Sequence, residues 1–275
     1  MPDLSISNNF ERRDLPSVIK QSAQRTGVDF NYLVAQAQLE SGLRPNAEAK
    51  TSSATGLYQF IEQTWLGLVK EKGQEYGIGW AQNAISQDSK GRLSVANKSL
   101  KSSILELRKD PALAANLAGE FARDNGSYLE EKTGRKPESV DLYLAHFLGP
   151  AGAAKFLTRM NENPDNAAAP SFKRAARANR NIFYNRAGQP RSFQDIRNRF
   201  ETKLSNAVDL AGIGNSVPPT GNDLPLNVST QRLVQPADYL HIARMQLSGD
   251  TQSNSSKPFS EPARAAYLML ASLGM

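Results

Sequence analysis

The stretch from Val28 to Ala47, VDFNYLVAQAQLESGLRPNA, constrains this chain more than any other. Its first half is an apolar run at helical spacing, which calls for burial. Asp29 is placed as the N-cap, and Val28 and Leu33 are spaced as a hydrophobic staple. Ser41-Gly42 stops the helix directly after Glu40. A carboxylate at the C-terminal end of an apolar helix is oddly placed. Burial and the negative end of the helix dipole both favour its neutral form, and a neutral carboxylic acid is what a general acid requires. The plainer alternative is a last-turn glutamate pointing into water.

The rest of the chain reads as helix. Leu15, Val18, Ile19 and Ala23 share a face, and that helix should end near Thr26-Gly27. A polar loop, LRPNAEAKTSSATG, leads to a helix from about Phe60 to Lys72 with Trp65 on its apolar side. Residues 73–98 read as a partly ordered excursion. Asp110-Pro111 opens a long helix, with Asp110 as N-cap and Pro111 in the first turn. Further helices are expected over 138–147, 152–160 and 192–204, with Gly149-Pro150 as a break. Almost nothing alternates as a strand would. The predicted architecture is all-α, a helical lobe around a groove. Residues 1–204 read as one body, 205–228 as a linker rich in Gly, Pro, Asn and Ser, and 229–275 as a short helical tail suited to docking a partner.

The chain has 275 residues, enough for a sizeable core, and the 39% hydrophobic and 22% charged content of a globular protein. No run is long enough to span a membrane, and the first twenty residues lack a secretory h-region. Zero cysteines exclude thiol nucleophiles and thiolate metal sites. The two histidines lie far apart, so neither a metal nor another cofactor is expected. The net charge of +6 points to an anionic partner, nucleic acid or a cell-wall polymer. It is concentrated between Phe172 and Lys203, where nine bases face two acids. That segment is either a binding surface or a solvated helical face.

Three segments carry a resemblance. The first is QLESGLRPNA with Glu40-Ser41. The second is SSATGLYQFIEQTW, in which Gly56-Leu57-Tyr58-Gln59 begins sixteen residues after Glu40. The third is YLAHFLGPAG, residues 143–152. In this order they resemble the SLT-type lytic transglycosylases, lysozyme-like enzymes that cut peptidoglycan glycan strands, over roughly residues 14–160. That resemblance implies a lysozyme-like fold and one catalytic carboxylate, whereas ordinary glycoside hydrolysis uses two. By position Glu40 would be the acid/base and Ser41 a supporting polar residue. Gln59 would hydrogen-bond substrate, and Tyr58 would line the sugar groove where the family often has Met. Glu48 and Glu62 read as solvated.

The third segment departs from the family's Ala-Tyr-Asn-x-Gly. His146 matches the family's Tyr and Phe147 its Asn. Either His146 takes over the hydrogen bond to Glu40, or Tyr143, one turn earlier, does so, or His146 is a satisfied core histidine. Glu120, among Leu117, Ala118, Phe121 and Ala122, is a further candidate for the groove or else an exposed helix position. The expected activity is cleavage of peptidoglycan with formation of 1,6-anhydromuramoyl ends. A hydrolytic muramidase and a non-catalytic wall-binding module are the alternatives, and nucleic acid is not the expected partner. The substrate implies a periplasmic or wall-associated protein, exported without a visible signal peptide. A secretion, flagellar or phage assembly component is the expected partner of the tail.

Overall fold

The computed structural model describes residues 14–50 and 52–212. The expectations for the linker beyond residue 212 and for the 229–275 tail fall outside the described residues. Helix ends are written locally in this sequence. α1 (Leu15–Thr26) carries Pro16 in its first turn, and α2 (Phe30–Ser41) starts from Asp29, whose carboxylate accepts from the Tyr32 amide at 2.8 Å. α3 (Glu62–Lys72), α4 (Gly79–Ala84) and α5 (Lys98–Glu106) follow. α6 (Pro111–Thr133) starts from Asp110, which accepts from the Ala112 and Leu113 amides at 2.9 Å. α7 (Ser139–Leu148) opens on a Glu138/Asp141 capping box, and α8 (Pro150–Glu162) restarts after Gly149. α9 (Lys173–Ala178), α10 (Arg180–Phe183) and α11 (Phe193–Leu210) complete the described chain, α11 opening on a Ser192/Asp195 capping box.

The all-α, lysozyme-like class stands, with one small addition. Residues 73–98 are ordered, and they contain an antiparallel hairpin of β1 (Ser86–Gln87) and β2 (Leu93–Ser94). Its strands are too short to show an alternating pattern, and α3 holds them in place. The Gln63 side-chain amide donates to the Leu93 carbonyl at 2.9 Å and accepts from its N–H at 3.0 Å, and Lys70 reaches the Ile85 carbonyl at 2.8 Å.

α1 packs on α6, α7 on α8, and α11 on both α2 and α7. The last pairing matters most. The basic segment is not an appended solvated helix, because one side of it is core. Phe200 meets Phe147 edge-on at 5.0 Å, and Phe193 meets Phe156 at 5.0 Å, contacts worth about 1 kcal/mol each beyond area burial. Leu204 and Ala207 continue the buried stripe of Phe193, Ile196 and Phe200, so α11 runs past the expected end at Leu204 to Leu210. Arg197 clips the helix to α7, pairing with Glu138 at 2.7 Å and with the fully buried Asp141 at 3.3 Å.

On α6, Asp124 is mostly buried and its Oδ2 has no hydrogen-bond partner among the described residues. Burial pushes its carboxyl above the usual range, against the pull of Lys72 and Arg123. Ionising it in the folded state therefore costs stability at neutral pH, and the cost vanishes once pH falls below the unfolded carboxyl's ordinary value. Asp124→Asn is expected to raise Tm by about 2–4 °C at pH 7. The gain should shrink as pH drops through the raised folded-state value and be gone in acid. Thermal scans from pH 7 down to pH 4 read this directly, and a pH-independent gain would refer the effect to packing instead.

Candidate active site

α2 ends in a left-handed turn at Gly42 and Leu43, which closes the helix and leaves Glu40 in its last turn. Ser41 is buried and ties this end to the next loop. Its hydroxyl donates to the Leu57 carbonyl at 2.8 Å or the Ala37 carbonyl at 3.1 Å, and accepts from the Arg44 amide at 3.1 Å. The loop is built in turn on Arg108, whose guanidinium donates to the carbonyls of Ser53 and Phe60 at 2.5 and 3.0 Å. The Glu-Ser and Gly-Leu segments are thus one structure, joined through the Ser41 hydroxyl.

The Glu40 side chain is only 6% exposed. Its Oε1 lies 2.9 Å from Nε2 of His146, on α7. The other ring nitrogen, Nδ1, lies 3.4 Å from the Gln36 side-chain amide, one turn before Glu40 on α2. With Gln36 donating to Nδ1, the imidazole carries its proton on Nε2 and donates it to Glu40. Tyr143, one turn earlier on α7, stacks at a tilt on His146 with centroids 5.9 Å apart, and its hydroxyl accepts from Lys203 Nζ at 2.9 Å. Burial, then the charge of Glu40, pushes the phenols of Tyr143 and Tyr32 well above the usual range. Lys203 comes from α11 and its ammonium lies 5.3 Å from the Tyr143 ring centroid. Burial lowers the proton affinity of Lys203, Glu40 opposes that, and Arg199 adds to it.

Of the residues singled out in the sequence, Glu40, Tyr143 and His146 converge, and Ser41 supports them from behind. The alternative of a core histidine unrelated to Glu40 is set aside by the 2.9 Å contact. Three expectations need correction. Tyr58 is 2% exposed, stacked at a tilt 6.4 Å from Phe60, so it belongs to the core and not to a groove wall. Gln59 is buried, and its amide donates to the carbonyls of Ala47 and Gly56 at 3.0 and 2.9 Å, which engages both amide protons in holding the loop. Glu120 lies in a separate buried cluster, accepting from the Tyr76 hydroxyl at 2.7 Å and paired with Arg123 and Lys72. Glu48 and Glu62 are tied up in ion pairs with Lys109 and Lys101. The sequence reading missed Gln36, Tyr32 and Lys203. Lys203 lay in the basic segment already noticed, but nothing local marked which base turns inward.

Among the described residues, no cluster of three His, Asp or Glu side chains is placed to hold a metal, and no helix is long and apolar enough to cross a membrane. Residues 17–116 match the family model of the transglycosylase SLT domain. That span takes in most of α1, all of α2 with Glu40 and Ser41, the Gly56–Gln59 loop and the first turns of α6. His146, Tyr143 and Lys203 lie beyond it. The chain carries a domain of the SLT-type lytic transglycosylase family, whose members act on peptidoglycan.

Proposed function

We propose that this protein is a peptidoglycan lytic transglycosylase that cuts the MurNAc-GlcNAc β-1,4 bond, with Glu40 as its general acid and then its general base. Glu40 donates its proton to the glycosidic oxygen as the bond from C1 to that oxygen breaks. The resulting carboxylate takes the proton of the C6 hydroxyl of the same muramic acid while that oxygen attacks C1. A 1,6-anhydro ring closes, Glu40 regains its proton, and no water is consumed.

The observation that carries this reading is the setting of Glu40. It is a nearly buried carboxylate held by one histidine, and it is the acid whose charge acts on Tyr32, Tyr143 and Lys203. A single carboxylate must serve both steps. Because His146 holds Oε1, Oε2 remains for the proton that goes to substrate.

The test is digestion of purified sacculi by wild type and Glu40→Gln, with the products read by mass spectrometry. Anhydromuramoyl ends that disappear in the variant support the proposal. Reducing ends would make the protein a muramidase, and products from neither would favour a wall-binding module. His146→Ala is expected to lower kcat by about 10- to 100-fold with little change in KM, the size of one hydrogen bond to a charged group. His146→Gln, whose amide nitrogen falls near the place of Nε2, should recover most of that loss. Equal loss in both would make His146 a packing residue.

On this reading the protein works at the cell wall, outside the cytoplasm, with the catalytic body ending at α11 and the remainder serving as linker and docking tail for a secretion, flagellar or phage assembly component. Support for the tail is compositional only: the Gly, Pro and Asn enrichment after Leu210 and the amphipathic spacing of residues 238–247 and 261–273.

A further inference from the structure

Beside the Glu40 site lies a cleft of about 820 Å³ between α11 and the connection that precedes it. Its charged lining is lopsided: Arg191, Arg199 and Lys203 against Asp195. Asp195 is already engaged, its Oδ2 accepting from the Ser192 amide at 3.2 Å. Arg191 is fixed as part of the wall, with its guanidinium donating to the carbonyls of Asn181, Ile182 and Tyr184. Arg199 is exposed, and its side chain makes no ion pair or hydrogen bond with another described residue. Two positions earlier, Arg197 is tied to Glu138 and Asp141, so the contrast is not a general property of this helix.

Arg199 and Lys203 stand four residues apart on one helical face, a spacing at which like charges repel. Arg199 also opposes the protonation of both Arg191 and Lys203. Asp195 compensates Arg191 and Glu40 compensates Lys203, but Arg199 has no ion-pair partner among the described residues, and an anion placed beside it relieves the repulsion among the three. A guanidinium matches a carboxylate with paired hydrogen bonds. Lys203 belongs to both places: it lines the cleft, and its Nζ holds the Tyr143 hydroxyl at 2.9 Å next to His146. The cleft and the surroundings of Glu40 therefore share one side chain.

We propose that this cleft is a subsite for the carboxylates of the peptide stems that hang from the glycan strand cut at Glu40, with Arg199 as its principal anion contact. The proposal rests on the transglycosylase reading for the identity of the polymer. Peptide stems are attached to the muramic acid itself, so a strand seated at Glu40 carries its carboxylates on a short tether from the reacting sugar. A polynucleotide is the less suitable anion. Phe200 is the aromatic ring of the lining, it is buried, and bases would find no exposed ring to stack on.

The test compares full-length wild type and Arg199→Glu on two forms of the same sacculi, intact and stripped of stem peptides by an amidase. On intact sacculi kcat/KM should fall about tenfold, through KM, as an exposed attraction becomes a repulsion. On stripped strands, which keep only the lactyl carboxylate that the amidase frees, the loss should be much smaller. Equal loss on both substrates, or no loss on either, overturns the proposal. If wild type cleaves neither form, the transglycosylase reading fails on its own, and binding decides the cleft. Glu40→Gln would then be co-sedimented with intact and stripped sacculi, beside the double variant Glu40→Gln/Arg199→Glu. Binding to intact sacculi that depends on Arg199 supports the stem subsite, and binding indifferent to it overturns it. A polynucleotide retained by wild type and lost in Arg199→Glu, with sacculus binding unchanged, would reassign the cleft to phosphate.

Discussion

Glu40→Gln is expected to lower the release of anhydromuramoyl products from sacculi by about 10³-fold, within the range of a group that serves as both acid and base. The amide keeps the size of the side chain, and its oxygen still accepts from His146 Nε2 where Oε1 did, at 2.9 Å. What it lacks is a proton to give and a charge to take one back. Stability should hold or rise, because a nearly buried carboxylate has been replaced by a neutral group. A variant that retains a tenth or more of the wild-type rate, with an unchanged thermal transition, would remove Glu40 from the chemistry. A variant that loses rate and stability together would leave the assignment to the product analysis.

The site depends on more chain than the family match covers. Residues 17–116 supply Glu40, Ser41 and the loop behind them. The partner of the carboxylate, His146, comes from α7, and the cation over Tyr143 comes from α11. α11 is held there by the aromatic contacts of Phe200 and by the Arg197 pairing with Glu138 and Asp141. The basic segment thus joins the body as a structural wall of the site, and its outward bases remain for a ligand. A protein that ends near residue 170 would keep the family motif and lose Lys203.

Features legible in the sequence were those whose cause is local. Asp29, Asp110-Pro111 and Ser41-Gly42 mark helix ends because a cap acts on amides and carbonyls within a few positions of itself. The Glu-Ser and Gly-Leu segments were recognisable as a pair, and the Ser41–Leu57 hydrogen bond joins them in space. What the sequence did not reveal depends on long-range packing. Gln36 and Tyr32 sit in an apolar run and look like core. Lys203 is one base among many, and only the docking of α11 on α2 turns it toward Tyr143. Tyr58 and Gln59 were misplaced for the opposite reason. Their position next to Gly56-Leu57 suggested contact with substrate, but the loop folds its own side chains inward to satisfy backbone carbonyls.

Gly56→Ala should be among the most damaging single methyl additions in the described structure. Gly56 has φ +89°, a conformation that side chains rarely adopt. An added Cβ would lie 2.0 Å from the Arg108 carbonyl oxygen and 2.9 Å from its carbonyl carbon, so the obstacle is backbone and cannot swing aside. Retreat is blocked on both sides. Arg108 is buried and bound to Ser53 and Phe60, and the Gly56 N–H donates to the Ala47 carbonyl at 2.8 Å. Strain and clash together are expected to cost about 3–4 kcal/mol, near the upper end for point substitutions. Tm should fall by about 10 °C at this size of domain. Gly134→Ala separates the two causes, since Gly134 has φ +70° but open space around the added carbon, and it should cost only about 1 kcal/mol. Calorimetry of both variants decides between them. Equal losses would mean that backbone conformation alone is responsible and that the loop gives way at Arg108. If the larger loss belongs to Gly56, activity should fall further than stability alone predicts, because a displaced Leu57 carbonyl releases the Ser41 hydroxyl and with it the helix end that carries Glu40.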